Sequence, residues 1–341
     1  MPEIRLHIDD PDEAYSAVRL ASDLELPPAR REFARQNGSW VLELGDLPLQ
    51  RLEYLIEVEH AAGGGWQMIP DPTNPGQVEG VFGSKSELRL DGYADPWWLR
   101  TDHVAAEAAM VSVASRTLKA GVEVGIWSPK GHDGPLPLLV ANDGPEYEQL
   151  SRLTTYAAAV IGTQELKPFR VALLAPVDRD ETYSASAAYA RALTTEILPA
   201  IRRETAVEGR VVGMGASLGG LAMLHAHRRY PRTFAGLFLQ SSSFFLPKFD
   251  GHESGFPRWQ RIVRFVRGTL STARTDDPIA IAITCGTCEE NRRNNRLVAD
   301  ALARQGHDAT FHPVGDTHNY TAWRDAFDPH LTDLLIRAWW R

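Results

Sequence analysis

The chain has 341 residues, 43% hydrophobic and 23% charged, which is enough for one large core and a smaller domain. Its formal net charge of −8 and the absence of a run of lysines or arginines argue against nucleic acid as a partner. No apolar run approaches the roughly 20 residues that a membrane span needs, and the amino terminus lacks the basic-then-apolar order of a secretory signal. We therefore expect a soluble, cytoplasmic protein.

Residues 1–105 have the pattern of a small β-domain. The runs 39–44 and 52–58 alternate apolar and polar side chains, as strands do, with a turn between them. The segment 70–76 contains three prolines and a glycine and breaks any regular element. Several short strands with such turns indicate a β-sandwich. Residues 10–24 are open to a short helix as an alternative.

From residue 106 onward, apolar strands alternate with amphipathic helices. The expected strands are 122–127, 136–141, 171–177, 210–213, 236–240, 280–285 and 309–313, and the expected helices are 184–203, 218–229, 257–269 and 290–305. This alternation predicts an α/β domain over 106–341 with a mostly parallel sheet covered on both faces. Ligands then bind beyond the carboxyl ends of the strands. Trp97 and Trp98 are expected to pack at the junction before this domain, with a substrate cleft as the alternative.

The segment 211–220 reads as a strand, a tight turn and the start of a helix. Its centre, Gly215-Ala216-Ser217-Leu218-Gly219, fits the pattern G-x-S-x-G. In such a turn the serine takes an unfavourable backbone conformation, and the glycines let strand and helix approach without Cβ clashes. The pattern predicts Ser217 as a nucleophile. The amide of Leu218, which opens the helix, is the expected first oxyanion donor.

A serine hydroxyl needs a base, and that base needs an acid to orient it. His318 lies in a loop after the last strand and is the expected base, whereas His307 is expected to be solvated and His312 to pack in a strand. Glu289 follows the next-to-last strand and is the expected acid, with Glu290 as the alternative. The resulting chain order of serine, acid and histidine is typical of α/β-hydrolases.

The loop after the strand 136–141 is expected to supply a second oxyanion donor. Pro145 has no N–H, so the donor is the amide of Gly144 or a later one such as that of Glu146. Asp143 precedes them and is expected to line the substrate site and brace the loop rather than perform chemistry.

Arg179 and Glu181 follow the strand 171–177 and therefore fall at the same end of the sheet. We expect a contact between these two side chains that holds the site or clamps an anionic substrate. A solvated pair in the loop is the alternative.

Cys285 and Cys288 form a C-x-x-C pattern at the end of a strand. A redox pair of this kind opens a helix near the start of its domain, and the second half of a zinc site is not visible. We therefore expect packed thiols and no metal site.

Further stretches extend the pattern along nearly the whole chain. They are Asp71-Pro72-Thr73-Asn74, Ser86-Glu87-Leu88, Arg179-Asp180-Glu181 and the segments 138–144, 196–199, 215–220, 286–289 and 318–324. In this order they resemble the enterochelin (ferric enterobactin) esterase family, which is related to the esterase D group and the mycobacterial mycolyltransferases. The resemblance implies an α/β-hydrolase fold preceded by a small immunoglobulin-like (E-set) β-sandwich domain.

The resemblance also implies a serine esterase that hydrolyses a small-molecule carboxylic ester through an acyl-enzyme, without metal or cofactor. Siderophore lactones of the enterobactin type are the substrates it suggests. It supports Ser217, His318 and Glu289 in the roles given above, and it adds Tyr320 and Trp323 to the substrate site.

Several points stay open. Pro145 stands where relatives usually carry a residue with an N–H, which leaves the second oxyanion donor undecided. Arg179, Arg292 and Arg293 are candidates for attracting a ferric catecholate, although the last two also fit solvated helix positions. An acyltransferase of the mycolyltransferase type and a binding protein with a vestigial triad are the alternative functions. The sequence does not decide between a monomer and a homo-oligomer.

Overall fold

The computed structural model describes residues 3–340 and separates the chain into two units. The first unit comprises Met1–Ala94, Gly286–Glu290 and Val314–Ala322, and the second comprises Asp95–Cys285, Asn291–Pro313 and Trp323–Arg341. The first unit thus contains two short segments from late in the chain. These segments follow the last two strands of the second unit's sheet in the sequence, and they carry Glu289 and His318.

The first unit is built from antiparallel sheets. Its strands are Glu3–Asp9 (β1), Tyr15–Ala21 (β2), Ala34–Gln36 (β3), Ser39–Asp46 (β4), Arg51–His60 (β5), Trp66–Ile69 (β6), Gln77–Gly80 (β7) and Gly83–Arg89 (β8). One sheet has the order β1-β4-β3, the other has the order β2-β5-β8-β7, and β6 pairs with β5. The described pairings within these sheets are all antiparallel.

The core of this unit follows from the two-residue period of its strands. In β5, Leu52, Tyr54, Ile56 and Val58 all point inward and are at most 1% exposed. Segment 10–24, for which a helix was the alternative, instead contains a turn and then β2. The helix alternative is therefore wrong, because apolar residues with a period of two bury one face of a strand.

The second unit contains an eight-stranded sheet. Its strands are Ala106–Ser115 (β9), Ala120–Pro129 (β10), Leu138–Asn142 (β11), Arg170–Leu174 (β12), Val211–Ala216 (β13), Phe234–Gln240 (β14), Ala280–Gly286 (β15) and Asp308–Val314 (β16). The strand order is β16-β15-β14-β13-β11-β12-β10-β9. The sheet is mixed, because β11 to β15 pair in parallel whereas β10 pairs antiparallel with both β9 and β12.

Three of the parallel strands are buried along their whole length. Every residue of β11, β13 and β15 is buried, as expected for strands covered on both faces. The prediction of an α/β fold is confirmed, with the qualification that the antiparallel pair β9–β10 makes the sheet mixed. The sequence analysis overlooked β9, in which most side chains are at least partly exposed and the buried ones are few.

Helices connect the strands of the second unit. They are Gly144–Ser151 (α1), Leu153–Gly162 (α2), Arg179–Tyr183 (α3), Ala187–Ala192 (α4), Leu198–Glu204 (α5), Leu218–Arg229 (α6), Trp259–Ser271 (α7), Arg292–Arg304 (α8), Tyr320–Asp325 (α9) and Thr332–Trp339 (α10). The segments Leu193–Ile197 and Phe327–Leu331 are π-helical, and short 3₁₀ turns lie at Pro28–Arg30, Trp97–Leu99, Pro231–Thr233 and Gly251–Gly255.

The helix predictions differ in accuracy for physical reasons. The expected helix 218–229 coincides with α6, and 257–269 and 290–305 agree with α7 and α8 within two residues at each end. Helix 184–203 is divided into α4, a π-helical turn and α5. The sequence analysis did not predict α2, because seven of its ten residues are buried and the helix has no polar face to produce a 3.6-residue period.

Trp98 is a core residue of the second unit. It is fully buried and its ring contacts those of Tyr156, at 5.6 Å, and Phe327, at 6.1 Å. Trp97 is 41% exposed, and its indole N–H donates to Asp328 over 2.8 Å. Within the described part of the chain, no helix combines the length and apolarity that crossing a membrane requires.

Candidate active site

Ser217 lies at the turn between β13 and α6 and has a strained backbone. Its φ is 54° and its ψ is −125°, a region that residues with a Cβ rarely adopt. The turn is tight, since a Cβ at Gly215 would lie 2.5 Å from the carbonyl carbon of Gly219. A real Cβ does not come so close to backbone, so only glycine lets the strand and the helix approach in this way.

The hydroxyl of Ser217 has a neighbour that the sequence analysis missed. Ser243 Oγ lies 3.1 Å from Ser217 Oγ, and the amide of Ser243 donates to the carbonyl of Ser217 over 3.1 Å. The amide of Ser217 in turn donates to the carbonyl of Gln240. The polar run that follows β14 was visible in the sequence and, being at the carboxyl end of a parallel strand, was a signal for this site.

The loop that carries Ser243 is held by buried amides. The side chain of Asn295, on α8, donates to the carbonyl of Ser242 over 2.7 Å and accepts from its amide over 3.0 Å. The side chain of Gln240 accepts from Tyr147 Oη over 2.8 Å. These bonds satisfy polar groups that burial would otherwise penalise, so they fix the loop beside Ser217.

The two amides that are expected to donate to an oxyanion lie at helix amino termini. Leu218 is the first residue of α6 and Gly144 is the first residue of α1, and first-turn amides have no partner within their own helix. The two turns are joined, because Asn142 Nδ2 donates to the carbonyl of Gly219 over 2.9 Å. A side chain at position 144 is excluded, since its Cβ would lie 2.4 Å from the backbone of Leu173.

Asp143 is bound by Arg179 in a two-bond arrangement. Arg179 Nε donates to Asp143 Oδ1 and Arg179 Nη2 to Asp143 Oδ2, each over 2.9 Å. Asp143 is 1% exposed and has a left-handed φ of 52°. The ion pair therefore fixes the turn that opens α1.

The expectation that Arg179 contacts Glu181 is wrong. Glu181 pairs instead with Arg258 Nε and, over 2.6 Å, with Arg261 Nη1. The hydrogen bond with Arg261, and a further one with Arg258, lower the pKa of Glu181. Sequence reasoning missed these partners because they come from a helix about 80 positions away. Arg179 and Glu181 are two positions apart in α3, and side chains at that spacing do not face each other on a helix.

Arginines at and just before the start of α7 line a cavity. The cavity measures about 460 Å³, and Glu181, Arg258, Arg261 and Arg264 lie in its wall together with Pro257 and Gln260. Three arginines and one glutamate line the cavity, so its lining carries an excess of positive charge. Because α3 carries both Arg179 and Glu181, one short helix connects this cavity to the Asp143 turn.

His318 and Glu289 form a pair within the first unit. Nδ1 of His318 lies 3.3 Å from Oε2 of Glu289, whose side chain is 1% exposed. Burial lowers the pKa of His318, but the hydrogen bond and negative charge of Glu289 outweigh it, with smaller contributions from Asp23 and Glu290, so the pKa is raised above 6.5. A buried carboxylate on Nδ1 leaves Nε2 as the basic atom of the neutral ring. Glu290 is exposed.

The structure also shows the surroundings of two histidines and the two cysteines that the sequence analysis considered. His307 is 5% exposed, so the expectation that it is solvated is wrong; its Nδ1 is 3.3 Å from the amide of Ile279. His312 packs as expected, with its ring stacked on that of His330 at 4.1 Å. Cys285 is buried at the end of β15 and Cys288 is half-buried.

Trp323 was assigned to the substrate site, but it is 6% exposed and its indole N–H donates to Ser241 Oγ over 3.1 Å. Its ring also packs against Tyr147 at 6.5 Å. Trp323 therefore packs in the core of the second unit, and its assignment to the substrate site stays a prediction. Tyr320 is the first residue of α9 and is partly exposed.

The fold and the strained serine define a class of protein. It is an α/β protein with a mixed central sheet and a strand–serine–helix turn, the arrangement on which nucleophilic serines of hydrolases are carried. Comparison with known proteins then gives the family. The family model named Esterase matches residues 115–334, and the chain belongs to this Esterase family. The resemblance to enterochelin esterases drawn from the motifs is confirmed.

Individual relatives agree with this assignment. The iron(III) enterobactin esterase of Escherichia coli O6:H1 (strain CFT073) is 26% identical over 198 residues, which cover 55% of this chain and 50% of that protein. The chain thus spans about half the length of this curated relative.

Solved structures share the fold over nearly the whole chain. The ferric enterobactin esterase of Salmonella typhimurium superimposes with a TM-score of 0.77 at 19% identity, covering 98% of this chain and 93% of that one. The enterobactin esterase of Shigella flexneri, crystallised in the presence of enterobactin, gives 0.75 at 20% identity and covers 98% and 92%. At these identities the likeness shows the fold alone.

Proposed function

We propose that the protein is a serine esterase in which Ser217 is the nucleophile, His318 the base and Glu289 the group that orients His318. The observation that carries this proposal is the backbone of Ser217, with φ 54° and ψ −125° at a strand-to-helix turn. Strain of this kind persists only where the surroundings enforce it, and it clusters at functional sites. The Glu289–His318 pair supplies the raised basicity that a hydroxyl nucleophile needs.

The reaction follows from these roles. Ser217 Oγ attacks the ester carbonyl carbon while His318 takes the hydroxyl proton, and the amides of Leu218 and Gly144 donate to the oxyanion. The tetrahedral intermediate collapses, the alcohol leaves with the proton from His318, and an acyl-enzyme remains on Ser217. A water molecule, deprotonated by His318, then attacks the acyl carbon. The carboxylic acid is released and Ser217 regains its proton.

We propose siderophore lactones of the enterobactin type as the substrates. The support is the similarity to proteins named as enterobactin esterases and the cationic cavity lined by Arg258, Arg261 and Arg264. Ferric catecholates are anionic, and guanidinium groups suit anionic oxygen ligands. Tyr320 is a further candidate for the substrate contact.

We also propose that β1–β8 form an immunoglobulin-like (E-set) sandwich, which with the linker forms the domain 1–105, and that the chain from β9 onward forms an α/β-hydrolase domain, 106–341. Two antiparallel sheets that share one apolar core support the first part. Parallel strands β11–β15, with Ser217 directly after β13, support the second.

The test is hydrolysis of a p-nitrophenyl ester and of an enterobactin-type lactone, with and without iron. We expect both to be cleaved, and Ser217→Ala or His318→Ala to lose on the order of 10³-fold or more in kcat. A fluorophosphonate probe should label Ser217 stoichiometrically. Full activity in Ser217→Ala would refute the mechanism, whereas cleavage of the simple ester alone would refute the proposed substrate. Product analysis with added alcohols would reveal acyl transfer in place of hydrolysis.

A further inference from the structure

Arg51 is a fully buried arginine in β5 of the first unit. Its Nη1 donates to Glu53 over 2.9 Å and to Glu87 over 3.2 Å. Its Nη2 donates to Asp316 over 2.8 Å and to Asn319 over 2.6 Å. The last two residues come from a segment more than 260 positions later in the chain, and they flank His318. One guanidinium group thus binds both sides of the turn that carries the proposed base.

The turn around His318 depends on the same side chains. Asp316 Oδ1 accepts from the amide of Thr317 over 2.7 Å and from Asn319 Nδ2 over 2.9 Å. Asn319 Oδ1 also accepts from the amide of Ala322 in α9 over 2.8 Å. Asp316 and Asn319 therefore link the guanidinium group of Arg51 to the backbone amides of Thr317, directly before His318, and of Ala322, in α9.

Two further hydrogen bonds within the first unit connect the chain just before β5 to both late segments. The amide of Gln50, next to Arg51, donates to the carbonyl of Gly315 over 2.7 Å. Thr287 Oγ1, close to Glu289, donates to the carbonyl of Pro48 over 2.5 Å. The segments that carry the acid and the base of the proposed triad are thus both bonded to residues 48–51, at and just before the start of β5.

The carboxylates around Arg51 make the turn at 316–319 sensitive to removal of the Arg51 side chain. Three carboxylates, Glu53, Glu87 and Asp316, face Arg51, and Glu87 is also bound by Arg89. Burial raises the pKa of Asp316 to about 6 even though the charge of Arg51 lowers it. Without Arg51, buried carboxylates would be left without their main counter-charge, and the turn would lose the donor that shapes it.

We propose that Arg51 is a positioning residue for catalysis: it holds the 316–319 turn so that His318 keeps its ring against Glu289. The N-terminal β unit then takes part in catalysis by fixing the base and is more than an appended binding module. This inference rests on the proposed function, in which His318 is the base.

The experiment compares full-length variants at a temperature where each is folded by circular dichroism. Arg51→Met removes the donor group, Arg51→Lys keeps the charge without the fork, and Asp316→Asn loosens the turn with little change in size. Leu52→Ala is the matched control, because Leu52 is the fully buried neighbour of Arg51 in β5 and is not part of the proposed site.

We expect Arg51→Met to lower kcat for a p-nitrophenyl ester about tenfold or more with KM changed less than about threefold, because the base is misplaced while the ester site remains. The acid limb of its pH profile should move to lower pH, because His318 loses the contact with Glu289 that raises its pKa. Arg51→Lys should recover part of kcat, and Asp316→Asn should show a smaller loss of the same kind. Leu52→Ala should lower Tm while leaving kcat and the acid limb unchanged.

Either of two results would overturn the proposal. The first is that Arg51→Met has the same kcat and the same acid limb as the wild type. If Arg51→Met does not fold, the same result in Asp316→Asn would overturn the proposal. The other is a loss of kcat in Leu52→Ala equal to that in Arg51→Met at equal loss of Tm, which would mean a purely structural role. Full activity in Ser217→Ala or His318→Ala would instead refute the proposed function itself, so the two failures are distinguishable.

Discussion

At the scale of single residues, the Glu289–His318 pair gives a prediction about pH. The base must be neutral to act, and Glu289 raises the pKa of His318 above 6.5, so kcat/KM should fall as pH drops through that raised value. Glu289→Gln removes the charge, so the acid limb should move to lower pH while kcat falls roughly 10²- to 10⁴-fold through loss of orientation. Initial rates between pH 5 and 9 would measure both effects.

Glu290→Gln is the matched control for this prediction. Glu290 is exposed and makes only a minor charge contribution to the pKa of His318. Its substitution should move the acid limb slightly and leave kcat nearly unchanged. If Glu290→Gln had the larger effect on both quantities, Glu290 and not Glu289 would be the orienting acid, which is the alternative that the sequence left open.

A second residue-scale prediction concerns Arg179. Its removal in Arg179→Met leaves the nearly fully buried carboxylate of Asp143 without its two-bond partner. The side chain of Arg179 is 36% exposed, so water replaces part of the interaction, and we expect a loss of about 1–3 kcal/mol in the free energy of unfolding. Urea denaturation would measure it. Arg258→Met, at an exposed position, should cost less, and an equal cost in both variants would contradict the prediction.

At the scale of elements, the strand–helix turn gives a prediction about packing. In Gly215→Ala the new Cβ would overlap backbone of α6 at 2.5 Å, so β13 and α6 cannot keep their approach. We expect a loss of about 1–3 kcal/mol in stability, as for other overpacked sites, together with loss of fluorophosphonate labelling of Ser217.

The control for that prediction is a glycine inside another helix. Gly268 lies in α7, is exposed, and has open space around it, since a Cβ added there would meet nothing within 4 Å. Gly268→Ala should therefore raise the unfolding free energy by roughly 0.5–1 kcal/mol through helix propensity and should not change activity. A stabilised, fully active Gly215→Ala would show that the turn is looser than the structure indicates.

At the scale of the whole molecule, buried histidines predict sensitivity to acid. Burial lowers the pKa of His225 to about 4, of His227 to about 3 and of His307 to about 4. In the unfolded chain each titrates near 6.5, so between pH 6.5 and about 4 the unfolded state binds more protons and stability falls as pH falls. Asp316, with a pKa raised to about 6, acts in the opposite direction, because ionising it costs stability as pH rises.

Burial also lowers the pKa of His330 to about 4. Because these four histidines outweigh Asp316, we expect the unfolding free energy to be lower at pH 5 than at pH 7.5 by about 3–6 kcal/mol. Urea midpoints at the two pH values would measure this difference. His227→Gln should make the dependence on pH shallower, whereas His132→Gln, at an exposed position, should leave it unchanged. Equal stability at both pH values would contradict the prediction.

How much could be predicted from the sequence depended on how local the determining interactions are. The turn at Ser217 and the bounds of α6 follow from glycine spacing and apolar period within about a dozen residues, so they were predictable. The predominantly apolar α2 and the largely exposed β9 lack a diagnostic period, so they were not predicted. His307 was placed in solvent because a glycine precedes it, but helix and sheet neighbours far away in the chain bury it.

The sequence alone determined the serine turn, the alternation of strands and helices, and the family to which the chain is similar, because these depend on short-range periodicity and on the order of motifs. Only the tertiary structure decided that Arg179 binds Asp143, that Glu181 binds arginines at and just before the start of α7, and that Arg51 holds the turn around His318. The physical reason is that a guanidinium group binds whichever carboxylate folding brings within about 3 Å, and that choice between partners leaves no periodic trace along the chain.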